Sequence, residues 1–286
     1  MILDLEQTYY DVDNEINGID KAELKSMLKL IRFKSGESKL SISEYIVLMI
    51  LYHLGHSKNL KAFWYTQKFL PHFKMPSYNV FLTWVNRLEG LLVKLLSERL
   101  IKLTSLGMVD STKIETCKSH YRGKTHRAAT VGYTSTGKFF GFKLHLVIDD
   151  KKRIVSYSIT DAKTHDLKPI KEGLLEGQEG IILADSGYVG REIYHELMAK
   201  NLTLVAKPKQ SMLENIELGL GYLDWDRYKH LYGKRFKIER LFDFLKNKLS
   251  LNPSSYHSTK GLFTHIHSVL LTYQMLVLNQ LKFFTI

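Results

Sequence analysis

The sequence predicts an α/β protein in which a mixed sheet is flanked by helices, with an all-helical module in front of it. Residues 1 to about 100 carry helix signals and no β-rich run. Beyond residue 100, short β-rich runs appear, and the later ones alternate with helical segments. Strands followed by alternating strands and helices are typical of a mixed sheet covered by helices. We therefore predict a helical domain at 1–100 and a second domain at 101–286, with an insertion at about 207–230, where no clear periodicity is visible.

The N-terminal module is predicted to contain three helices, because a capping residue precedes each of three helical segments. The helices are 44–54 after Ser43, 60–69 after Asn59, and 78 to about 100 after Ser77. Three helices joined by tight turns are compatible with a helix-turn-helix DNA-binding module. They are equally compatible with a helical packing or dimerisation domain, and the sequence leaves both interpretations open.

The second domain is predicted to contain five strands, which are the β-rich runs 106–114, 139–148, 154–160, 180–184 and 202–206. Helices are expected between the later strands and after the insertion, at about 165–175, 190–200, 232–250 and 259–281, with Pro253 between the last two. Ligands of α/β sheets gather beyond the carboxyl ends of the strands. Polar residues at those ends are therefore the first candidates for a functional site.

The charge of the chain favours an anionic partner. The net charge is +12, which suits nucleic acid or an acidic membrane surface. Cys117 is the only cysteine, so no intrachain disulfide can form and a reducing compartment fits. The first ten residues do not resemble a signal peptide, and the most apolar stretches, 45–54 and 268–278, are shorter than the about 20 residues that span a bilayer. We expect a soluble cytoplasmic protein.

Two aspartates follow predicted strands. Asp110 comes after the apolar run 106–109, and Asp185 comes after the apolar run 181–184. If these strands are neighbours in the sheet, the two carboxylates would lie close together. Each aspartate could instead be a loop acid or a helix cap, which is the more common role for one such residue taken alone.

A third acid, Glu239, lies on a predicted helix with a distinct apolar stripe. At about 100° per residue, one side of this helix is apolar and the adjacent side carries four polar residues. The apolar residues are Ile238, Leu241, Phe242, Leu245 and Leu249, and the polar residues are Tyr232, Arg235, Glu239 and Lys246. The alternative is the edge of an amphipathic helix with an Arg235–Glu239 pair at i,i+4.

Three carboxylates have a chemical use if Asp110, Asp185 and Glu239 lie close together. They would repel one another and raise each other's pKa. Mg²⁺ or Mn²⁺ relieves that repulsion, because hard cations prefer carboxylate oxygens. Two such ions can activate an attacking oxygen and stabilise the leaving oxygen in phosphoryl transfer.

Three segments of the sequence resemble the DDE transposases of bacterial insertion sequences. They are 108–111 (MVDS), 183–188 (LADSGY) and the helix around Glu239, where Tyr232, Arg235, Glu239 and Lys246 match that family's spacing of Tyr, two residues, Arg, three residues, Glu, six residues and Lys. Residues 141–146 (GFKLHL) and 160–166 (TDAKTHD) also look like the family. The resemblance covers about 105–250 and departs from the family at Ser186, where many relatives have a charged residue.

The resemblance implies an RNase H-like fold with Asp110 on the first strand, Asp185 after the fourth and Glu239 on a following helix. It implies that these three acids are catalytic and hold two Mg²⁺ or Mn²⁺ ions. The protein would cleave element ends and join them to target DNA. Its partners would be terminal inverted repeats and target DNA, bound by a homodimer or higher oligomer associated with the bacterial nucleoid.

Further residues are expected to contact DNA. By position in the family's motif, Tyr232, Arg235 and Lys246 would bind phosphates near the scissile bond. Residues 113–143 carry seven Lys or Arg side chains against one acid. We interpret this run, including Lys124 and Arg127, as a loop that contacts the DNA backbone, with a solvated loop as the alternative.

Other candidates are weaker, and two other functions stay open. Trp225 is interpreted as a packing residue, although an aromatic side chain there could stack on a flipped base. No complete set of zinc ligands is present, and Asp166 and Asp243 are the acids that could replace one of the three. The alternatives to a transposase are a related metal-dependent DNA nuclease without strand transfer and a catalytically inactive DNA-binding derivative. The intact set of three acids favours the active enzyme.

Overall fold

The structure, a computed structural model, describes residues 2–30, 39–55, 57, 59–116, 128–134, 137–188, 190–207, 219–252 and 258–284. The chain forms two compact units, one made of 1–99 and 245–286 and the other of 100–244. The first boundary lies beside the one expected at residue 100, whereas 245–286 group with the N-terminal helices. Four residues named above lie outside the described residues: Cys117, Lys124, Arg127 and Pro253.

The helices, in chain order, are α1 (Leu5–Gly18), α2 (Lys21–Leu30), α3 (Ile42–Leu54), α4 (Leu60–Lys68), α5 (Tyr78–Val85), α6 (Glu89–Ser97), α7 (Leu167–Lys171), α8 (Arg191–Ala199), α9 (Gly219–Tyr228), α10 (Phe236–Asn247) and α11 (Thr259–Val277). The strands are β1 (Ile2–Leu3), β2 (Leu106–Glu115), β3 (Thr130–Thr134), β4 (Gly137–Asp149), β5 (Ile154–Asp161), β6 (Gly180–Ala184), β7 (Leu202–Ala206) and β8 (Phe283–Phe284). Within the described residues, none of the helices combines the length and the apolar character needed to cross a bilayer.

The first capping residue of the helical unit differs from the prediction. Helix α3 begins after Ser41, not after Ser43, because Ser41 and Glu44 form a capping box in which each side chain accepts a hydrogen bond from the other's backbone N–H. Ser43 is buried in the first turn, where its hydroxyl donates to the Asp13 carboxylate. A serine two residues into a helix can therefore serve tertiary packing while an earlier serine caps.

The second predicted helix is confirmed, and the third is wrong. Asn59 caps α4 as expected. The long helix expected from residue 78 to about 100 is instead the two helices α5 and α6, and Ser77 makes no capping hydrogen bond. Backbone hydrogen bonds at 84–88 span three residues instead of four, which tightens the last turn of α5. Leu88 is fully buried at this turn, so side-chain packing stabilises the interruption between α5 and α6.

The unit at 100–244 contains a mixed sheet, as predicted. Among the described residues it has six strands in the order β3-β4-β2-β6-β7, and β5 also pairs with β4. Strands β2 and β4 are antiparallel, whereas β6 is parallel to β2 and to β7. Apolar side chains of five strands form the core with Tyr188, Ile170 and Leu197. Strands β6 and β7 have the same first and last residues as the predicted runs 180–184 and 202–206.

Strand β3 overturns part of the predicted DNA-contact loop at 113–143. Strand β2 continues to Glu115, and β3 pairs antiparallel with the first residues of β4. The sequence of β3 is TVGYT, in which only Gly132 is buried, so no apolar alternation marks it as a strand. The described part of the basic run is therefore mainly sheet, and 117–127 lie outside the described residues.

The chain around Glu239 is only partly the helix that the sequence predicts. Residues Lys229–Arg235 form a 3-10 segment, and the α-helix starts at Phe236. A rotation of 100° per residue therefore does not relate Tyr232 and Arg235 to Glu239, because a 3-10 turn has three residues. The apolar stripe is buried as predicted, at Ile238, Leu241, Phe242, Leu245 and Leu249. Helix α9 occupies the later part of the predicted insertion.

Candidate active site

The register of β2 and β6 brings Asp110 and Asp185 to neighbouring positions. The two strands are parallel, and Met108 lies opposite Leu183. The same register, continued for two residues, puts Asp110 beside Asp185, which directly follows β6. The two strands are thus neighbours, as the sequence-based argument required. Asp110 itself lies inside β2, which runs on to Glu115, and not at a strand end.

Arg235 connects Asp110 with Glu239. Its Nη2 donates to Asp110 Oδ2 at 2.7 Å, and its Nη1 donates to Glu239 Oε1 at 2.8 Å. The contact with Glu239 is the i,i+4 pair that the sequence allowed as an alternative, whereas the contact with Asp110 joins distant parts of the chain. The Nε of Arg235 is buried and has no hydrogen-bond partner among the described residues. The guanidinium therefore shares one positive charge between two carboxylates, and its Nε–H donor is not used among the described residues.

Burial raises the pKa of Asp110 to about 6. The positive charge of Arg235 and a hydrogen bond from the Ser111 backbone N–H oppose this rise, while the negative charges of Asp185 and Glu239 add to it. Asp110 thus lies close enough to Asp185 and Glu239 for their charges to affect its pKa. They differ in access to water, because the Asp110 side chain is 18% exposed and the Glu239 side chain is 56% exposed.

The donor chemistry of Asp110, Asp185 and Glu239 fits Mg²⁺ or Mn²⁺, because both ions take carboxylate oxygens. In this structure the guanidinium of Arg235 provides the positive charge between two of these acids. Among the described residues, no three His, Cys, Asp or Glu side chains lie close enough together to hold one ion. Binding of one cation by all three acids would therefore require their side chains to move closer together, and Arg235 is bound to two of them.

Tyr232 lies beside the same acids. Burial raises the pKa of its hydroxyl, Arg235 opposes the rise, and the charges of Asp185, Asp110 and Glu239 add to it. The ring of Trp225 packs edge-on against Tyr232, with centroids 4.9 Å apart and an interplanar angle of 78°. This contact agrees with a packing role for Trp225.

Lys246, the last residue of the predicted motif, follows Glu239 by seven residues in α10. It belongs to the part of this helix that groups with the other unit. Asp243, which the sequence offered as a substitute acid, is exposed on the same helix.

Lys143 and Asp166 form an ion pair next to Asp110, which sequence reasoning did not predict. Lys143 Nζ donates to Asp166 Oδ1 and to the Thr164 carbonyl oxygen, both at 2.9 Å. Asp166 Oδ1 also accepts from Ser111 Oγ at 3.4 Å, and Ser111 follows Asp110 in β2. Asp166 is therefore a structural partner of Lys143 in this structure. Lys143 belongs to the basic run that we interpreted as a DNA-contact loop, but here it lies in β4 with its side chain 17% exposed.

His145 extends this polar cluster into the core. It lies two residues after Lys143 in β4, so both side chains project from the same face of the strand. Its Nε2 contacts Thr160 Oγ1 at 3.0 Å, and its Nδ1 contacts the Tyr188 hydroxyl at 3.3 Å. Burial lowers the pKa of His145 to about 4, against the charge of Asp166 and together with that of Lys143. Only the family-like runs 141–146 and 160–166 could have indicated this cluster.

A family model and two of the solved structures that resemble this chain are compared with it here. The family model described as the transposase DDE domain matches residues 101–259, which is more than half of the chain and includes Asp110, Asp185 and Glu239. A piggyBac transposase synaptic complex with hairpin DNA is 8% identical, with a TM-score of 0.48 over 96% of this chain and 72% of that chain. A pre-cleavage Mos1 transpososome is 12% identical, with a TM-score of 0.23 over 100% of both chains.

Because both TM-scores are below 0.5, the two solved structures do not contribute to the family assignment. The family model alone decides, since it matches more than half of the chain and spans strands β2 to β7 and helix α10. This chain belongs to the transposase DDE domain family.

Proposed function

We propose that this protein is an active DNA transposase of the DDE type, in which an RNase H-like domain cleaves the ends of a bacterial insertion sequence and joins them to target DNA. The observation that carries the proposal is that the three acids lie together within the segment that the family model matches: the register of β2 and β6 puts Asp110 beside Asp185, and Arg235 bridges Asp110 and Glu239. The parallel register of β2 and β6 supports a shared role for the two aspartates.

Asp110, Asp185 and Glu239 would hold two divalent cations, Mg²⁺ or Mn²⁺. When bound, such ions activate the attacking oxygen and stabilise the leaving oxygen of a phosphodiester. The protein's own contribution is a set of hard oxygen donors on two adjacent strands and a helix, with Asp110 sheltered from water and Glu239 open to it. Such a difference in exposure suits a pocket whose floor is buried and whose opening is accessible to solvent.

Arg235 would change partners during this reaction. In the present structure it donates to both Asp110 and Glu239, and its buried Nε–H has no acceptor among the described residues. A buried donor without a partner costs about 1–3 kcal/mol, so this arrangement is poised to change. When the carboxylates take up cations, the released guanidinium would bind a DNA phosphate, for which its planar donor geometry is suited.

The remaining DNA contacts are part of the same proposal. Tyr232, beside the acids, would contact phosphate near the scissile bond, and Lys246, Lys124 and Arg127 would hold the DNA backbone through their charge. The partners would be terminal inverted repeats and target DNA, bound by a homodimer or a higher oligomer.

A cleavage assay tests the proposal. The purified protein, incubated with Mg²⁺ and a labelled duplex made from the DNA that flanks its gene, should cut at the element end. Asp110→Asn and Glu239→Gln should each lower the cleavage rate by about a thousandfold or more while DNA binding persists. Asp243→Asn is the matched control, because Asp243 is an exposed acid on the same helix as Glu239.

The same assay separates the alternatives. Joining of the cut end to a supercoiled target plasmid supports a transposase, whereas cleavage without any joined product would identify a nuclease. DNA binding with no cleavage in Mg²⁺ or Mn²⁺ would identify an inactive derivative. Full activity of the Asp110→Asn and Glu239→Gln variants would reject the site.

A further inference from the structure

Helix α4 presents one basic and aromatic side to solvent. Residues at i, i+3, i+4, i+7 and i+8 share a side of a helix, and here they are Lys61, Trp64, Tyr65, Lys68 and Phe69. On the opposite side, Leu60 and Phe63 are buried. The most exposed of the five form what we call the α4 surface: Lys61, Tyr65, Lys68 and Phe69.

Two aromatic rings form the centre of the α4 surface. The side chains of Tyr65 and Phe69 are 60% and 68% exposed. Their centroids lie 5.0 Å apart, with an interplanar angle of 70°. Neighbouring exposed aromatic rings are typical of a binding surface, because each leaves a large apolar face in water.

The two lysines of the α4 surface are held beside other aromatic rings. Lys61 Nζ lies 5.8 Å from the ring centroid of Tyr78, and Lys68 Nζ lies 5.5 Å from that of Trp64. Trp64 is itself fixed, because its Nε1 donates to the Pro76 carbonyl oxygen at 3.0 Å. These cation–π contacts position two positive charges along the helix that carries the exposed rings.

The charge of the surrounding chain favours an anionic partner. Residues 45–88 contain no Asp or Glu, and they include four lysines and Arg87. A second copy of this chain is a poor occupant, since a two-fold interface pairs a patch with itself and would bring lysine against lysine. An anion with flat apolar groups complements both features of the surface.

We propose that the α4 surface binds single-stranded DNA. Tyr65 and Phe69 stack on unpaired bases, and Lys61 and Lys68 contact the phosphates on either side. Aromatic platforms with flanking cations bind single strands in this manner, because every base offers a face for stacking. The choice of DNA as the partner rests on the proposed transposase function, whereas the surface itself is independent of Asp110, Asp185 and Glu239.

Fluorescence anisotropy with a labelled oligothymidine, in EDTA, tests this proposal without any metal-dependent step. Tyr65→Ser combined with Phe69→Ser should weaken binding on the order of tenfold, because two stacking platforms are lost. Lys61→Gln combined with Lys68→Gln should weaken binding and reduce the slope of log K against log salt by about 1.4, since about 0.7 is lost per phosphate contact on a single strand. The matched control is Tyr10→Ser with Lys21→Gln, an exposed tyrosine and lysine elsewhere in the same unit.

Each outcome bears on the proposal in a defined way. Unchanged affinity in both α4 variants overturns it, and so does an equal loss in the control. If the α4 substitutions abolish a concentration-dependent dimer, seen by light scattering, and leave DNA binding unchanged, the α4 surface is a self-association surface instead. Photocrosslinking of an iodouridine strand to the unaltered protein should modify the peptide with Tyr65 and Phe69, and modification elsewhere only would contradict the assignment.

Strand binding in EDTA and cleavage in Mg²⁺, both measured on the unaltered protein and on the α4 variants, keep the two proposals separate. If the protein binds single strands through the α4 surface but does not cleave DNA, the result counts against the proposed function alone. Normal cleavage with no role for Tyr65 and Phe69 would count against the α4 surface alone.

Discussion

Arg235 and Lys143 are two cations of one unit that both bind carboxylates near Asp110, yet their environments differ. Lys143 pairs with one acid, Asp166, and its ammonium also donates to a backbone carbonyl. Arg235 is shared between two acids, one of which is more than half exposed, and its buried Nε lacks a partner among the described residues. An ion pair alone therefore does not reveal a role. We distinguish the two cases by the hydrogen bonds of the cation. A cation such as Lys143, bound to one acid and a backbone carbonyl, stabilises the fold, whereas one such as Arg235, with an unpartnered buried donor, can exchange its partners.

The largest expected effect is on stability and concerns Lys143. Lys143→Met keeps the length of the side chain but leaves Asp166 with a weak contact from Ser111 in a mostly buried place, so we expect the free energy of unfolding to fall by about 2–3 kcal/mol. Urea denaturation at pH 7 measures this. Arg235→Met should cost less, about 1 kcal/mol, because Asp110, whose pKa is already raised to about 6, can take up a proton once the guanidinium is gone. Removing Arg235 also relieves the unpaired Nε and leaves Glu239 in water.

An exposed ion pair of similar length provides the control for that prediction. Lys102 and Glu179 are 2.7 Å apart, and their side chains are 58% and 52% exposed. Lys102→Met should therefore change the free energy of unfolding by about 0.5 kcal/mol at most. If Arg235→Met destabilised the protein as much as Lys143→Met, the distinction between the two cations would be lost.

A smaller effect is expected from acid, through His145 in the Lys143 cluster. Burial lowers the pKa of His145 to about 4, so the folded protein keeps it neutral while the unfolded chain takes up a proton below pH 6.5. Stability contributed by the neutral side chain is complete above pH 6.5 and is lost as the pH falls. One histidine accounts for about 1.4 kcal/mol per pH unit in that range, or about 2 kcal/mol between pH 6.5 and 5.

His145→Gln isolates this contribution from other buried histidines such as His265. The difference in unfolding free energy between the unaltered protein and His145→Gln should shrink by that amount between pH 6.5 and 5. A difference that stays constant with pH would show that His145 is not held neutral. The comparison in the other unit is His265→Gln, because burial also lowers the pKa of His265 to about 4.

The sequence predicts the parts of the fold that carry a strong local pattern. Runs such as 180–184 and 202–206 are almost entirely apolar, and both are largely buried strands at the predicted residues. The adjacency of Asp110 and Asp185 was predicted on the condition that the two strands are neighbours, and they are. It comes from the register of β2 and β6 and not from strand ends, because Asp110 lies inside β2. Strand β3 escaped prediction because its neighbours in the sheet, not its own apolar residues, keep it in place.

The contacts at Asp110 escaped prediction for a different reason. The spacing of Arg235 and Glu239 allowed an i,i+4 pair, and that pair is present. The contact of Arg235 with Asp110 joins residues 125 positions apart, and it depends on a 3-10 turn that has no clear sequence signal. Periodicity describes one element at a time, so it could not show that the same guanidinium serves both carboxylates.

A smaller effect than those at Lys143 and His145 tests whether Arg235 and a divalent cation compete for the same carboxylates. In the unaltered protein, Mg²⁺ must displace the guanidinium from Asp110 or Glu239, whereas in Arg235→Gln the carboxylates are free of that competitor. We therefore expect Mg²⁺ to raise the Tm of Arg235→Gln more than that of the unaltered protein, by a difference worth about 1 kcal/mol. Differential scanning fluorimetry without DNA measures this, and adding Asp110→Asn to the variant should remove the extra gain because a ligand is lost. An equal response to Mg²⁺ with and without Arg235 would mean that the guanidinium does not hold the place of a cation, and the observed bridge would then belong with Lys143 among the structural pairs.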